Sequence, residues 1–526
     1  MKKHIFRFLS FGRRSLSGQS AVSTSERAKN VVSGVRLLTV QNIVNSALSS
    51  VFLALLLRLL SPSDYGLYSA LVLVTTIGTS IASFGLQTAA TRFVAYVTHN
   101  EGESRAIARL ILILSFAFAS VSALVLALIS PTLSLYFTRS TSSSWIFALS
   151  GAWLFSSTVA GTFQGVVQGM KKYEAIAKIL MTAGTVMVCL TVLGLLEFSN
   201  VIIPIVAWVV YGGAICIWSL SIIRKSPRNA LAERTNSQTV RQVLRYSLPL
   251  AVAGIVTAAT GVADPMVVGG MMSESQLGAY NAAIAISGGL GVIFFAPMNT
   301  AFFPETTSHS ENLQKISNAL RLALRYSILA LIPASFALAA LSTQMMNLFT
   351  GGDSSYLVAN LSLQMMSVFF IFVALQGIPT SLLLSTGKTM QAMIIGIATV
   401  ILDVALSVLM VPGFGLLGAA TSRVLVDVAG FLMALYLTKK YFKNVVDLGF
   451  YSKVLLMSFA MFVVLFTLSQ FVSDSFYTLI PYILVGTLVL VLCVRGLRIL
   501  TPEDKSYLEH FVPAKMSRLV QFVLFD

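Results

Sequence analysis

Ser61 to Ala70 reads SPSDYGLYSA, and 212 residues further on Ser273 to Ala282 reads SESQLGAYNA. Each phrase is a short polar interruption between long apolar runs. Laying residues 61–165 over 273–377 without a gap gives 24 identities in 105 positions. Shared composition alone would give roughly 8, so the chain contains a duplication. The identities continue far beyond the phrase, through Arg109 with Arg321, Ser115 with Ser327, Phe137 with Phe349, and Gln164 and Gly165 with Gln376 and Gly377. The phrase therefore marks one point in each of two copies. It reads as a tight outer turn, with Gly66 and Gly278 reversing or relaxing the chain where a side chain would crowd it and Tyr68 and Tyr280 where interfacial aromatics are favoured.

The runs on either side decide the class. Of 526 residues, 56% are apolar and 11% charged, with a mean hydropathy of +0.84. A soluble domain carries about a quarter charged residues. Stretches near the ~20 residues needed to cross a bilayer recur from Leu37 to Val494. The expected fold is all-α, a polytopic membrane protein of about 14 transmembrane helices in two parallel six-helix repeats plus two C-terminal helices. Six spans per copy is an even number, so both copies start on the same side of the membrane.

The organisation follows: a basic N-terminal tail (1–36), a first lobe (37–223), a polar linker (224–246), a second lobe (247–437), a loop (438–453), two further spans (454–494) and a C-terminal tail (495–526). Two linked halves of this kind rock about a central site; retention of the duplication for packing alone is the alternative.

The net charge of +16 belongs to topology, not to nucleic acid. Of 36 Lys and Arg residues, 33 fall in the N-terminal tail, the even-numbered connections and the C-terminal segment, against Arg58 and Arg139 on the other side and Arg423 inside a span. The positive-inside rule places both termini in the cytoplasm of a multi-pass protein of the cell membrane. The first residues, split by Arg7, lack the apolar core of a signal peptide and read as a cytoplasmic tail, either disordered or lying on anionic lipid.

Ionisable groups inside spans are costly and are functional hypotheses by default. Asp264, Asp403, Arg423 and Asp427 are the four candidates for ion coupling or for lining a cavity. Asp264, Asp403 and Arg423 lie ~10 to 14 Å below the outer boundary at 1.5 Å per residue, and Arg423 and Asp427 share a helix face. An Asp403 to Arg423 bridge tying the eleventh and twelfth spans is the structural alternative. Asp264 has no basic partner in its own helix, and Pro265 frees a backbone carbonyl beside it, which favours Asp264 as the proton or cation site. Phe52 occupies the matching position of the first copy, so the halves differ in function. Asn42 and Asn45 of the first span, with Gln164 and Gln376, either line a hydrophilic path or join helices by hydrogen bonds. Gly161, Gly165 and Gly169 form a stripe for close helix packing.

Other chemistry finds little support. His4, His99, His309 and His510 fall outside the spans and Cys189, Cys216 and Cys493 within them, with no metal-ligand spacing and no nucleophile constellation. No cofactor or metal is expected. The outer connections are too short for the domain a membrane-embedded glycan enzyme needs, so a carrier is expected ahead of an enzyme or a scaffold of glycan assembly.

RLLSPSDYGLYSA, FGLQTAATRFVAY, QGMKKYEAIAK, VADPMVVGGMMSESQLGAYNAA, STGKTMQA and VPGFGLLGAATSRV, in this order and spacing across residues 33–495, together resemble the polysaccharide-export flippases. These are a branch of the superfamily of multidrug, oligosaccharidyl-lipid and polysaccharide exporters. The resemblance implies a two-lobed carrier that moves a polyprenyl-phosphate- or polyprenyl-pyrophosphate-linked oligosaccharide between leaflets, driven by a proton gradient, a sodium gradient or the membrane potential. The resemblance implies that basic residues of such a cavity hold the phosphate, a role for which Arg92, Arg58 and Arg423 are placed, Arg92 being equally a charge that sets topology at the interface. Implied partners are the lipid-linked glycan, membrane lipids and glycan-assembly proteins, with no nucleic acid. The sequence departs from the family pattern where Pro265 follows Asp264 and where Asp403 replaces the commoner Asn. A cation-coupled multidrug exporter of the same superfamily is the alternative, which would stop near 12 spans, without the last two.

Overall fold

The serine that opens each copy of the repeated phrase caps a helix. In the computed structural model, which describes residues 24–96, 101–224, 237–291, 313–439, 447–471 and 479–500, Ser61 accepts the backbone N–H of Asp64 at 3.1 Å and Pro62 occupies the first turn. Proline suits that turn because its missing N–H has no helical partner there. Ser273 does the same in a reciprocal box with Gln276, whose side chain accepts the Ser273 N–H at 3.1 Å. The helices so started are α2 (Pro62–Ser83) and α9 (Glu274–Leu290), each following a longer helix, α1 (Thr24–Leu59) and α8 (Ser237–Met271).

The first repeat continues through α3 (Leu86–Tyr96), α4 (Glu101–Thr138), α5 (Ser144–Gly169), α6 (Tyr173–Phe198) and α7 (Ile202–Arg224). The second continues through α10 (Leu313–Ala340), α11 (Ser342–Thr350), α12 (Asn360–Ser385) and α13 (Thr389–Thr438), followed by α14 (Leu448–Phe471) and α15 (Leu479–Gly496). Eleven of the described segments are long and apolar enough to cross a membrane. One of them, α13, is two passes joined at a bend, Gly415. With the shorter apolar α9 and α15 added, the expected 14 passes are present. The protein is a multi-pass membrane protein of two six-helix repeats and two appended helices. The tail up to residue 23, linker residues 225–236, the continuation of the eighth span at 292–303, the tail from 501 and all four histidines lie outside the described residues.

For orientation, the end that bears Ser61 and Ser273 is termed the hairpin end, and the end carrying most of the Lys and Arg the basic end. At the hairpin end one apolar core crosses from repeat to repeat, uniting Leu56, Leu71 and Tyr65 with Val268, Leu277 and Tyr356. The crossing is tight because α2 and α9 touch through their glycines. A Cβ on Gly278 would lie 2.6 Å from the Pro62 carbonyl oxygen and 2.9 Å from the Gly66 nitrogen, and one on Gly66 would run into the Glu274 carbonyl. This corrects the expectation that the glycines form a turn, while the crowding expected around them is present. Gly66 and Gly278 lie inside helices and let two backbones meet. Tyr68 is likewise not interfacial; it is buried, accepts the Trp208 indole N–H at 3.0 Å and stacks on Trp153.

Polar ties across the same end include Ser63 donating to Glu274 at 3.1 Å and Tyr136 donating to the Met266 carbonyl at 3.2 Å. Arg139 donates to the Gly270 carbonyl and Arg58 to the Leu348 carbonyl at 2.5 Å, each near the C-terminus of a helix where carbonyls lack partners. Toward the basic end the second span breaks between α2 and α3 at Phe84 and Gly85, both with positive φ, and Gly85 lets the break press against Ser247 and Leu250 of α8. The predicted glycine stripe of α5 packs as expected, Gly165 against the Gln87 carbonyl and Gly169 against Val94. The appended helices lean on α10, where Val454 and Met457 pack with Ile328 and Ile332, and Arg325 lies 4.1 Å over the Phe450 ring.

Candidate functional site

Pro265 shapes the site before any charge does. Lacking an N–H, it cannot bond the carbonyl four residues back, at Gly261, so α8 carries a free acceptor deep in an apolar bundle. Arg423, on the second pass of α13, points its guanidinium there, 3.5 Å from that carbonyl. The same guanidinium grips Asp264 in a two-point pair, Nε to Oδ2 at 2.8 Å and a terminal nitrogen to Oδ1 at 2.6 Å. Asp264 is 0% exposed. Tyr280, the tyrosine of the second phrase, donates its hydroxyl to Asp264 Oδ2 at 2.5 Å. Both carboxylate oxygens are thus engaged, which is the condition for holding a charge out of water.

The pair that forms differs from the one expected. Arg423 bridges Asp264, not Asp403, because the helices of one hairpin need not be nearest partners at a given depth. Asp403 is buried, 4% exposed, and joins a smaller network in which Ser407 donates to its Oδ1 at 3.4 Å and to the Ser422 hydroxyl at 3.0 Å. Asp427 stands one turn beyond Arg423, half-buried, and no hydrogen-bond donor among the described residues meets its carboxylate.

Asp403, Arg423 and Asp427 line the inner end of a cavity of about 1040 Å³ in the second repeat, between α8, α9, α12 and α13. Gln376 lines it too, its amide against Gly430. From Leu248 to Gly261 of α8 the cavity runs about 13 residues, ~20 Å, between the basic end and the charged cluster. Its walls combine Val, Leu, Met, Ile and Phe side chains with five threonines, Ser287 and Gln376.

The remaining candidates lie elsewhere. Arg92 sits over the Tyr246 ring at 4.4 Å, where α3 meets α8 at the basic end. Arg58 is the hairpin-end tie described above. Asn42 is exposed on α1 and takes the Gln41 amide at 3.4 Å, and Asn45, half-buried, faces α6 at Gly184. Gln164 is half-buried on α5, away from the cavity lining.

Tyr280 was not among the expected site residues. Its signal was depth: Asp264 lies seven residues before the end of α8 and Tyr280 six after the start of α9, so a hairpin sets them side by side. The matching residues of the first repeat are Phe52 and Tyr68, and there an aromatic stack replaces the ionic cluster, with Trp208 5.4 Å from Trp153 and 6.2 Å from Phe52. The asymmetry expected from Phe52 is therefore physical: one repeat is apolar where the other is charged.

Comparison with known proteins bears on the family and the fold. A profile of the family described as polysaccharide biosynthesis protein matches residues 55–359. The probable low-salt glycan biosynthesis flippase Agl15 of Haloferax volcanii is 25% identical over 217 residues, which cover 40% of this chain and 43% of that protein. The matched stretch thus spans less than half the length of that relative. Among solved structures, the lipid II flippase MurJ in an inward closed conformation superposes with a TM-score of 0.64 at 16% identity, covering 88% of this chain and 98% of that one. An inward-facing multidrug resistance MATE family transporter gives 0.58 at 15% identity, covering 78% and 99%. At such identities these two structures speak for the fold.

Proposed function

Because the chain belongs to the polysaccharide biosynthesis protein family, whose profile matches residues 55–359, we propose that it is a transporter, a flippase that carries a polyprenyl-phosphate- or polyprenyl-pyrophosphate-linked oligosaccharide across the cytoplasmic membrane. The observation that carries this reading is that match, which covers most of the first repeat and runs into the second. The naming of Agl15 as a flippase and the MurJ-like fold support it.

In this reading the basic end faces the cytoplasm, as the distribution of Lys and Arg favours. The repeats part and meet again at the glycine crossing of the hairpin end, exposing the glycan path to each side in turn. Arg423 is already matched by Asp264, so the substrate phosphate is met by another cation. Arg92 suits this role, since it lies where α3 and α8 of opposite repeats meet and its guanidinium is held over the Tyr246 ring, with no carboxylate among the described residues paired to it. Asp264, closed off by Arg423 and Tyr280, yields the part of coupling acid to Asp403 and Asp427, with a proton or sodium ion as the coupling cation. Glycan-assembly proteins would supply and receive the lipid-linked sugar.

The decisive experiment reconstitutes the purified protein in vesicles with a fluorescent lipid-linked oligosaccharide and follows its accessibility to an external quencher. Movement that depends on the protein and slows at least tenfold in Arg92→Ala is expected. Absence of movement under every gradient and potential would remove the reading.

A further inference from the structure

The cavity of the second repeat is rich in hydrogen-bond acceptors and poor in donors. Thr257 and Thr260 of α8 donate their hydroxyls to the carbonyls of Ala253 and Thr257, at 2.9 and 2.8 Å. Ser287 of α9, Thr380 of α12 and Thr399 of α13 donate likewise to Ile284, Gln376 and Gly396, at 3.0, 2.8 and 2.8 Å. A hydroxyl whose hydrogen is engaged still offers its oxygen, so five acceptors line the cavity from four helices. Asp403 and Asp427 add two carboxylates, and no donor among the described residues meets that of Asp427. Arg423 belongs to the lining too, but Asp264, which stands outside it, holds the guanidinium at two points. Among the described lining residues, the side chains left to donate are the Gln376 amide and the Thr389 hydroxyl.

Such a lining selects a ligand by the donors it brings. A phosphate or a carboxylate brings only acceptors and negative charge, and would face Asp403 and Asp427 in a medium of low dielectric, where like charges repel strongly. A hydrocarbon chain brings no donor at all. A proton or a metal ion answers one acid and leaves hydroxyls spread over four helices. An uncharged sugar brings a rim of hydroxyls, and two on adjacent carbons can reach both oxygens of one carboxylate in charge-assisted bonds. Its C–H faces suit Val252, Phe370, Val373 and Met393. The volume of about 1040 Å³ is at the upper end of small-molecule pockets, room for more than one sugar ring.

We propose that this cavity holds uncharged sugars of the transported glycan and excludes acidic sugars such as uronic acids, with Asp427 as the discriminating residue. The inference rests on the flippase reading and names the class of glycan which that reading leaves open. The phosphate of the lipid carrier is shut out by the same acids, which agrees with its assignment to Arg92.

The test uses the full chain in detergent, freed of Cys189, Cys216 and Cys493 and carrying Gly288→Cys as a reporter. Gly288 lines the cavity, and a Cβ there would meet nothing within 4 Å. Methyl methanethiosulfonate labels the reporter thiol at about pH 8, where carboxylates are ionised, and a bound sugar slows the labelling. The probes are cellobiose and cellobiouronic acid, which differ by oxidation of one hydroxymethyl group to a carboxylate. Half-protection by cellobiose is expected at a concentration at least tenfold below that needed of the acid. Asp427→Asn should close this gap. Thr260→Val removes an acceptor without changing charge or shape and should weaken protection by cellobiose about threefold, which decides the matter even if Asp427→Asn does not fold. The proposal is overturned by no protection from cellobiose, by equal protection from both sugars, by an unchanged gap in folded Asp427→Asn, or by full protection in Thr260→Val. No lipid carrier is present, so the result stands apart from the vesicle assay. Flipping without protection would remove the sugar site alone, and protection without flipping would remove the transporter reading and keep the site.

Discussion

Asp264 and Arg423 are coupled so closely that neither can be replaced alone without leaving a buried charge. Arg423→Ala should destabilise the protein by about 3 to 5 kcal/mol, the usual cost of stranding one partner of a buried pair. Asp264→Asn should also be destabilising, and Asp264→Asn with Arg423→Met should recover most of the loss. Thermal unfolding in detergent, with intrinsic tryptophan fluorescence as the signal, would show it, and three additive melting temperatures would refute the coupling. The positions of these residues were legible in the sequence, because charges in apolar spans stand out and depth follows from counting. Their pairing was not, because depth says nothing of azimuth: Asp264 and Asp403 sit equally deep, and the packing of α8 against α13 chooses between them.

Within α8, Pro265 opens the hydrogen bond that Arg423 then uses. Pro265→Ala restores an N–H for the Gly261 carbonyl and removes a residue that costs about 3 kcal/mol in a helix interior. The expected result is a higher melting temperature together with slower transport in the vesicle assay, since a straight α8 competes with Arg423 for its own carbonyl. Transport at the wild-type rate in a stabilised variant would count against this. The free carbonyl could be read from one proline. What the helices α2 and α9 do could not: the repeated phrase looked like a turn because its Ser, Pro and Gly are turn residues, and the same three residues also start a helix and thin its first turn for a neighbour. Which use prevails depends on a partner 212 positions away. In Gly66→Val or Gly278→Val the added side chain meets backbone on the other repeat, so the hairpin end should no longer close. Faster labelling of a cysteine at Ser63 by an impermeant maleimide would report it.

Across the whole molecule, the repeats are tied at the hairpin end by the glycine crossing and by the contacts of Ser63, Tyr136, Arg139 and Arg58. If the halves rock there, a disulfide between Ser63→Cys and Glu274→Cys, made in a chain freed of Cys189, Cys216 and Cys493, should stop transport, and reductant should restore it. Transport undiminished in the fully cross-linked protein would show that this end does not open. The two-lobed plan was readable from the duplication, because identities persist at one offset over 105 positions. The tie between Ser63 and Glu274 has a further meaning. Under the relation between the repeats, Ser63 answers to Ser275 and Glu274 to Pro62, so the counterpart of this hydrogen bond would join Ser275 to a proline, which has no side-chain acceptor. A dimer of two identical six-helix chains must carry the same residue at both places, proline for the helix start or glutamate for the bond, and cannot have each once. Joining the halves in a single gene lifts that restriction: each side of the axis is free to vary by itself, and a carrier that must hold on one side and yield on the other can be inherited as one locus.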